Sequence, residues 1–143
     1  MLDNYQDLIE ELLGTPKVVR ALLADDGTPE AWALVDELRN RDTAVLDRLQ
    51  RLTRQQNAYL RPLPTTDELA ANRAAPAEAG DALLTSLDIA RGDLISLLMN
   101  LTLKDWERTG THEILGEITV ADEVEAHVEF DEAHLEGIRA AAS

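Results

Sequence analysis

The chain contains no cysteine, which removes disulfides, a catalytic thiolate and thiolate-held metals at once. Aromatic residues amount to only 3%, and no stretch sustains the period-two alternation of a half-buried strand. No apolar run approaches the roughly 20 residues of a membrane helix, and the opening MLDNYQDLIEE lacks the basic region of an export signal. A cytoplasmic protein with no membrane partner is therefore expected. Bases are scarce too: 13 Lys and Arg stand against 28 Asp and Glu, a formal charge of −15. So acidic a chain repels phosphate backbones, which argues against a nucleic-acid partner. There is no G-x-S-x-G and no Gly-rich phosphate loop. Ser86, Ser96 and Ser143 fall in helical stretches or at the tail, so neither a serine hydrolase nor a phosphate-cradling site is indicated.

What is present is helical periodicity. With 143 residues and 45% apolar composition, one domain spanning 1–143 can bury its own core. Tyr5, Leu8, Ile9, Leu12 and Leu13 start a first helix. Gly14 followed by Thr15-Pro16 predicts a stop and restart, hence a kinked helix in two pieces, running on to Ala24 and ended by Asp25-Asp26-Gly27. Thr28-Pro29 opens a second helix over Pro29–Arg54, whose apolar stripe includes Asp42. Residues 57–76 carry three prolines and read as a connection, with one helical turn at Asp67–Asn72. Its length suits a crossover along a bundle better than a simple hairpin. A third helix over Ala77–Asn100 has Leu83, Leu87, Ala90, Leu94, Leu97 and Leu101 at steps of four and three, widened by Leu84 and Leu98. Thr102-x-x-Asp105 predicts a short capped turn through Trp106, and a loop, Arg108–Glu117, follows. The last helix reads over Gly116–Arg139, with Thr119 as its cap and Asp122 in the first turn. The expected architecture is an all-α four-helix bundle with a long crossover between the second and third helices.

The last helix concentrates the chemistry. His127 and His134 are seven residues apart on the side that carries Val120, Val124 and Ile138, with Asp131 between them. Two imidazoles and a carboxylate on a buried stripe are metal-ligand types. They are equally polar residues that a bundle satisfies internally, with acids such as Asp42, Glu37 or Asp131 as partners. One ion spanning His127, Asp131 and His134 has to bridge almost two turns, roughly 10 Å of helix. His112 lies in the loop and is expected to brace it. Trp32 and Trp106 read as packing residues.

Three stretches carry a resemblance to a known family. Thr15-Pro16 with VVRALLAD is similar to a TP-x-x-L-x-x-LL segment. Trp32 and then Glu37–Leu49, ELRNRDTAVLDRL, resemble an HLRDxDxxxLxRL helix. Leu101–Arg139 resembles L-T-x-x-x-W…G-x-H-x-x-x-G-x-x-T ending in H-D-x-x-H-L-x-x-I. Across nearly its whole length the chain thus resembles the DinB-like (DinB/YfiT) superfamily of bacterial four-helix bundles. The resemblance implies an up-down bundle with a long crossover, often a homodimer. Many members hold a divalent metal through one histidine of the second helix and two of the last, and some are thiol transferases, isomerases or small-molecule hydrolases. The name's association with stress induction says nothing about chemistry.

Carried over position by position, that metal site is eroded. The second-helix histidine falls on Glu37, the first of the last-helix pair on Phe130, and only the second persists, as His134. His127 is one residue away from a further family histidine, which falls on Ala126. Two function classes follow. One is a bundle that binds a small molecule or self-associates without metal catalysis, with no cofactor. The other is a divalent-metal transferase or hydrolase, zinc or nickel dependent, with Glu37, His134 and His127 as ligands and a bound water or a thiol supplying the nucleophile.

Overall fold

The computed structural model describes residues 2–23, 27–76 and 78–142, with side chains from Tyr5 onward. Four long helices dominate: α1 (Leu2–Leu22), α2 (Pro29–Arg54), α4 (Gly80–Met99) and α6 (Val120–Ala142). Two short ones, α3 (Thr66–Ala71) and α5 (Leu103–Trp106), lie in the connections. The expected stop at Asp25-Asp26, the run to Ala24 and the start at Ala77 fall outside the described residues.

Helix boundaries follow the caps. Thr28 Oγ1 accepts the Ala31 N–H at 3.1 Å to open α2. Thr65 with Glu68 and Thr102 with Asp105 form reciprocal capping boxes at α3 and α5. Thr119 and Asp122 do the same at α6, at 2.9 and 3.0 Å, each pairing otherwise orphaned N–H groups.

Two expectations need correction. The first helix is a single hydrogen-bonded element through Gly14, Thr15 and Pro16, not two pieces. Pro16 lacks the N–H that would bond the Leu12 carbonyl, and Arg91 Nη1 donates to that carbonyl at 2.6 Å instead. The proline therefore removes one bond, which a neighbouring helix replaces. The second correction concerns the loop before the last helix. Thr109–His112 (β2) and Gly116–Thr119 (β3) form an antiparallel hairpin, so α6 begins at Val120 rather than Gly116. Tyr59–Leu60 (β1) pairs parallel with β2. Gly116 adopts φ +79° where the turn closes. A Cβ on Gly110 would lie 2.5 Å from Leu52 and 2.7 Å from the Ala58 carbonyl, so the sheet can sit against α2 only with glycine there.

Both α1 and α2 pack against α4 and α6. Arg39 meets Ser86 and Asp42 meets Arg91, so α2 and α4 run parallel. Arg48 meets Glu123 and Glu37 meets His134, so α2 and α6 run antiparallel. Two apolar clusters fill the bundle. One, around Leu12, Leu49, Leu94, Trp106 and Val124, lies toward the sheet; the other, around Val19, Leu38, Leu87, Phe130 and Ile138, lies at the far end. Between them is a layer of buried polar groups. Among the described residues no helix is long and apolar enough to cross a membrane.

Candidate functional site

The polar layer is organised by Arg91, 2% exposed. Its Nη1 and Nη2 donate to Asp131 Oδ2 and Oδ1 at 2.7 and 2.8 Å. Its Nε faces both oxygens of Asp42 at 3.0 and 3.1 Å. Asp131 Oδ2 also accepts from Thr15 Oγ1 at 2.8 Å, and Asp42 Oδ1 contacts His127 Nε2 at 2.7 Å. Burial opposes the charge of Arg91, but Asp131 and then Asp42 outweigh it and hold its pKa above the ordinary guanidinium value. Each helix contributes one part: a hydroxyl and a freed carbonyl from α1, one acid from α2, the cation from α4, and an acid with a histidine from α6. A buried charge without such partners costs several kcal/mol, and these bonds tie the four long helices to one another at this level.

One turn toward the far end, Glu37 receives Arg73 Nε and Nη2 at 2.6 and 2.8 Å and contacts His134 Nε2 at 2.9 Å. Burial pushes the Glu37 carboxyl up; the bonds from Arg73 and His134 prevail and leave it below its usual range. Burial lowers His134, and Glu37 only partly offsets that. The other ring nitrogen of His134 is 3.3 Å from the Phe130 carbonyl. Phe130 stacks on His134 at 4.0 Å between ring centres and lies 6.2 Å from His127. The two histidines are thus not brought to one point. Each faces its own acid across the bundle, with an aromatic ring between them.

A cavity of about 380 Å³ opens between α2, α6, the hairpin and residues 62–65, within the size range of small-molecule sites. Its walls are largely apolar: Val45, Pro62, Leu63, Ile114, Leu115, Ile118 and Phe130. Ala126 is exposed on its α6 wall, while His127 and His112 line it as well. His112 braces the hairpin, its Nδ1 accepting the Ile114 and Leu115 N–H groups at 3.1 Å. His127 Nδ1 is buried with no hydrogen-bond partner.

Two arginines border the cavity. Arg48 is buried against Glu123, its Nη2 donating to Oε1 at 3.1 Å and its Nη1 to the Arg61 carbonyl at 2.9 Å. Its Nε lies 2.8 Å from Glu123 Oε2 yet out of line for a hydrogen bond, so that contact is ionic. Arg41 lies 4.0 Å over the Phe130 ring and bonds the Pro64 carbonyl. Burial, and then the Arg48 charge, lower its pKa from the ordinary guanidinium value.

Sequence reading singled out the acids and histidines but passed over the arginines that answer them. Arg91 had a signal. It sits on the Leu84, Leu87, Leu94, Leu98 line at steps of three and four, as Asp42 sits on the α2 stripe. Two acids on buried faces demand a cation on a third. Arg73 had none, because it comes from the irregular connection.

These elements define a four-helix bundle with a small sheet at one end. A solved structure, YfiT from Bacillus subtilis, superposes with a TM-score of 0.77 over 96% of this chain and 85% of that one, at 17% identity. That protein is described as a probable metal-dependent hydrolase with an unusual four-helix bundle topology. At this identity the likeness establishes the fold. No protein-family model matches the chain, and no curated protein matches its sequence.

The family resemblance implies a metal held by Glu37, His134 and His127, and the described side chains there are arranged otherwise. Among the described residues no group of three or more His, Asp or Glu is arranged to hold an ion. Phe130 offers only carbon, both Glu37 oxygens face Arg73, and His134 turns its Nε2 to Glu37. Asp42 and Asp131 are committed to Arg91.

Proposed function

We propose that this protein binds a small organic molecule in the cavity between α2, α6 and the hairpin, and that its function does not rest on metal catalysis. The cavity carries this reading: it is of ligand size, mostly apolar, and edged by a few polar groups, the usual make-up of a small-molecule site. The donor set supports the second part, since a guanidinium from Arg73 takes the carboxylate oxygens that an ion would need.

A rearranged metal site, transferase or hydrolase, is favoured by the 2.9 Å approach of Glu37 to His134 and by the description of YfiT. Calorimetric titration of chelator-stripped protein with zinc, nickel and manganese separates the two. The expected result is no micromolar site in the natural protein. Phe130→His combined with Arg73→Ala restores an imidazole and frees Glu37, so that variant gains zinc affinity. Stoichiometric micromolar binding to the natural protein, lost in His134→Ala, would overturn the metal-free reading. The cavity itself is tested by organic extraction of the protein as purified, followed by mass spectrometry. A stoichiometric small molecule, lost from Ala126→Trp, is the expected finding.

A further inference from the structure

The ligand class follows from the one cation on the cavity wall that has no acid beside it. The chain has more than two acids for every base, 28 to 13, so a half-buried guanidinium has ample opportunity to find a carboxylate. Arg91, Arg48 and Arg73 all do. Arg41, like Arg51 and Arg108 elsewhere, does not: among the described residues it has a carbonyl and an aromatic face, and no acid within ion-pair distance. It stands on the wall of the cavity rather than on open surface.

The remaining wall charges narrow the choice. The charge of Arg48 is cancelled by Glu123. Asp122 is exposed at the start of α6, where its carboxylate takes the Thr119 N–H and is screened by solvent. What remains inside is a single positive charge, suited to a monoanion. A guanidinium keeps free N–H groups after bonding one carbonyl, and its planar fork matches a carboxylate in bidentate fashion. His112 adds a donor type to the wall: with Nδ1 accepting two backbone N–H groups, Nε2 is the ring nitrogen left to donate. Apolar walls on the other sides suit a hydrocarbon body.

We propose that the cavity takes a monocarboxylate with an apolar body, its head group paired with Arg41 and its body against Leu63, Ile114, Leu115 and Ile118. This rests on the small-molecule reading of the cavity and names the ligand class for it. Paired with the ligand, Arg41 would regain the acid that the chain itself withholds.

The test uses the full chain and three probes of one length and different heads, octanoate, octanol and octylamine, titrated calorimetrically. Octanoate is expected to bind at least tenfold tighter than octanol, with octylamine weakest. Shortening octanoate by one methylene should weaken it by up to about fourfold, the factor that corresponds to roughly 0.8 kcal/mol per buried CH₂. Arg41→Gln should remove most of the preference for the acid while octanol affinity stays within about threefold. Equal binding of octanol and octanoate, or a preference that survives Arg41→Gln, would overturn the carboxylate assignment and leave the cavity reading standing. Octanoate binding that persists in Ala126→Trp would place the site elsewhere and overturn it too. Binding of none of the three would overturn the cavity reading and this inference with it.

Discussion

Arg91 and Arg41 are both arginines drawn into the bundle, and they are finished differently. Arg91 is closed on every side by two carboxylates and a carbonyl. Arg41 has one carbonyl and one aromatic face. The first cation is part of how the helices find each other, since its partners come from α1, α2 and α6. The second meets only Phe130 of α6 and the connection after α2, and stands on the wall of the cavity. In a bundle core, a satisfied charge reads as architecture and an unsatisfied one beside a cavity reads as recognition.

The largest test of this contrast is Arg91→Met, which leaves Asp42 and Asp131 buried without their cation. Removing one partner of a buried ion pair typically costs about 3–5 kcal/mol, and urea unfolding should report a loss of that size. Adding Asp42→Asn and Asp131→Asn to the same variant should recover part of it, because the uncompensated charges are gone. A loss under about 1 kcal/mol for Arg91→Met would mean the layer is not the bundle's register device.

Acidification probes the neighbouring pair, Glu37 with His134, which resembles the Arg91 layer in being paired but sits nearer the surface. Burial holds His134 below its ordinary 6.5, so the unfolded chain binds that proton more readily. Stability from this residue is therefore full above about pH 6.5 and falls as the pH drops below it. Glu37 is also held below its ordinary 4.5, against the pull of burial, and it adds a second loss below that pH. Both signs agree: acid destabilises, first through the histidine and then through the carboxyl. For one proton the slope is at most about 1.4 kcal/mol per pH unit. His134→Gln should flatten the upper window and narrow the lower one, where Arg73 still holds Glu37 down, as followed by urea midpoints between pH 7.5 and 4. An unchanged upper slope in that variant would assign the titration to another group.

How much of this was legible beforehand divides along physical lines. The long helices were readable because their signals are local: Thr28-Pro29 opens α2, Thr119 with Asp122 opens α6, and the leucines of α4 repeat at three and four. The unbroken α1 was not readable, because Gly14-Thr15-Pro16 is a break by every local rule. The carbonyl that Pro16 leaves free is taken by Arg91, distant in sequence. The hairpin escaped because strands of four residues carry no measurable period. His127, His134, Asp42 and Glu37 were picked out as polar groups on buried faces, and each does face another of them. Their arginine partners decide what those groups can do. Arg73 and Arg41 become visible only when the connection after α2 is folded back on the bundle.

The smallest expected effect is the most discriminating. Arg41→Met keeps the length and apolar stem of the side chain but removes the charge over Phe130 and the bond to Pro64. A partly exposed cation–π contact contributes about 0.5–1 kcal/mol, and burial already opposes the charge. The net change in urea stability should therefore be about 1 kcal/mol or less, against several for the same substitution at Arg91. Loss of a desolvated charge with no acid to answer it can even stabilise the bundle, as residues kept for binding commonly do when removed. A cost at Arg41 equal to that at Arg91 would mean that it too is a framework residue, and the contrast between the two arginines would collapse. A small or favourable change, together with lost preference for the carboxylate, would separate holding the bundle from holding the ligand.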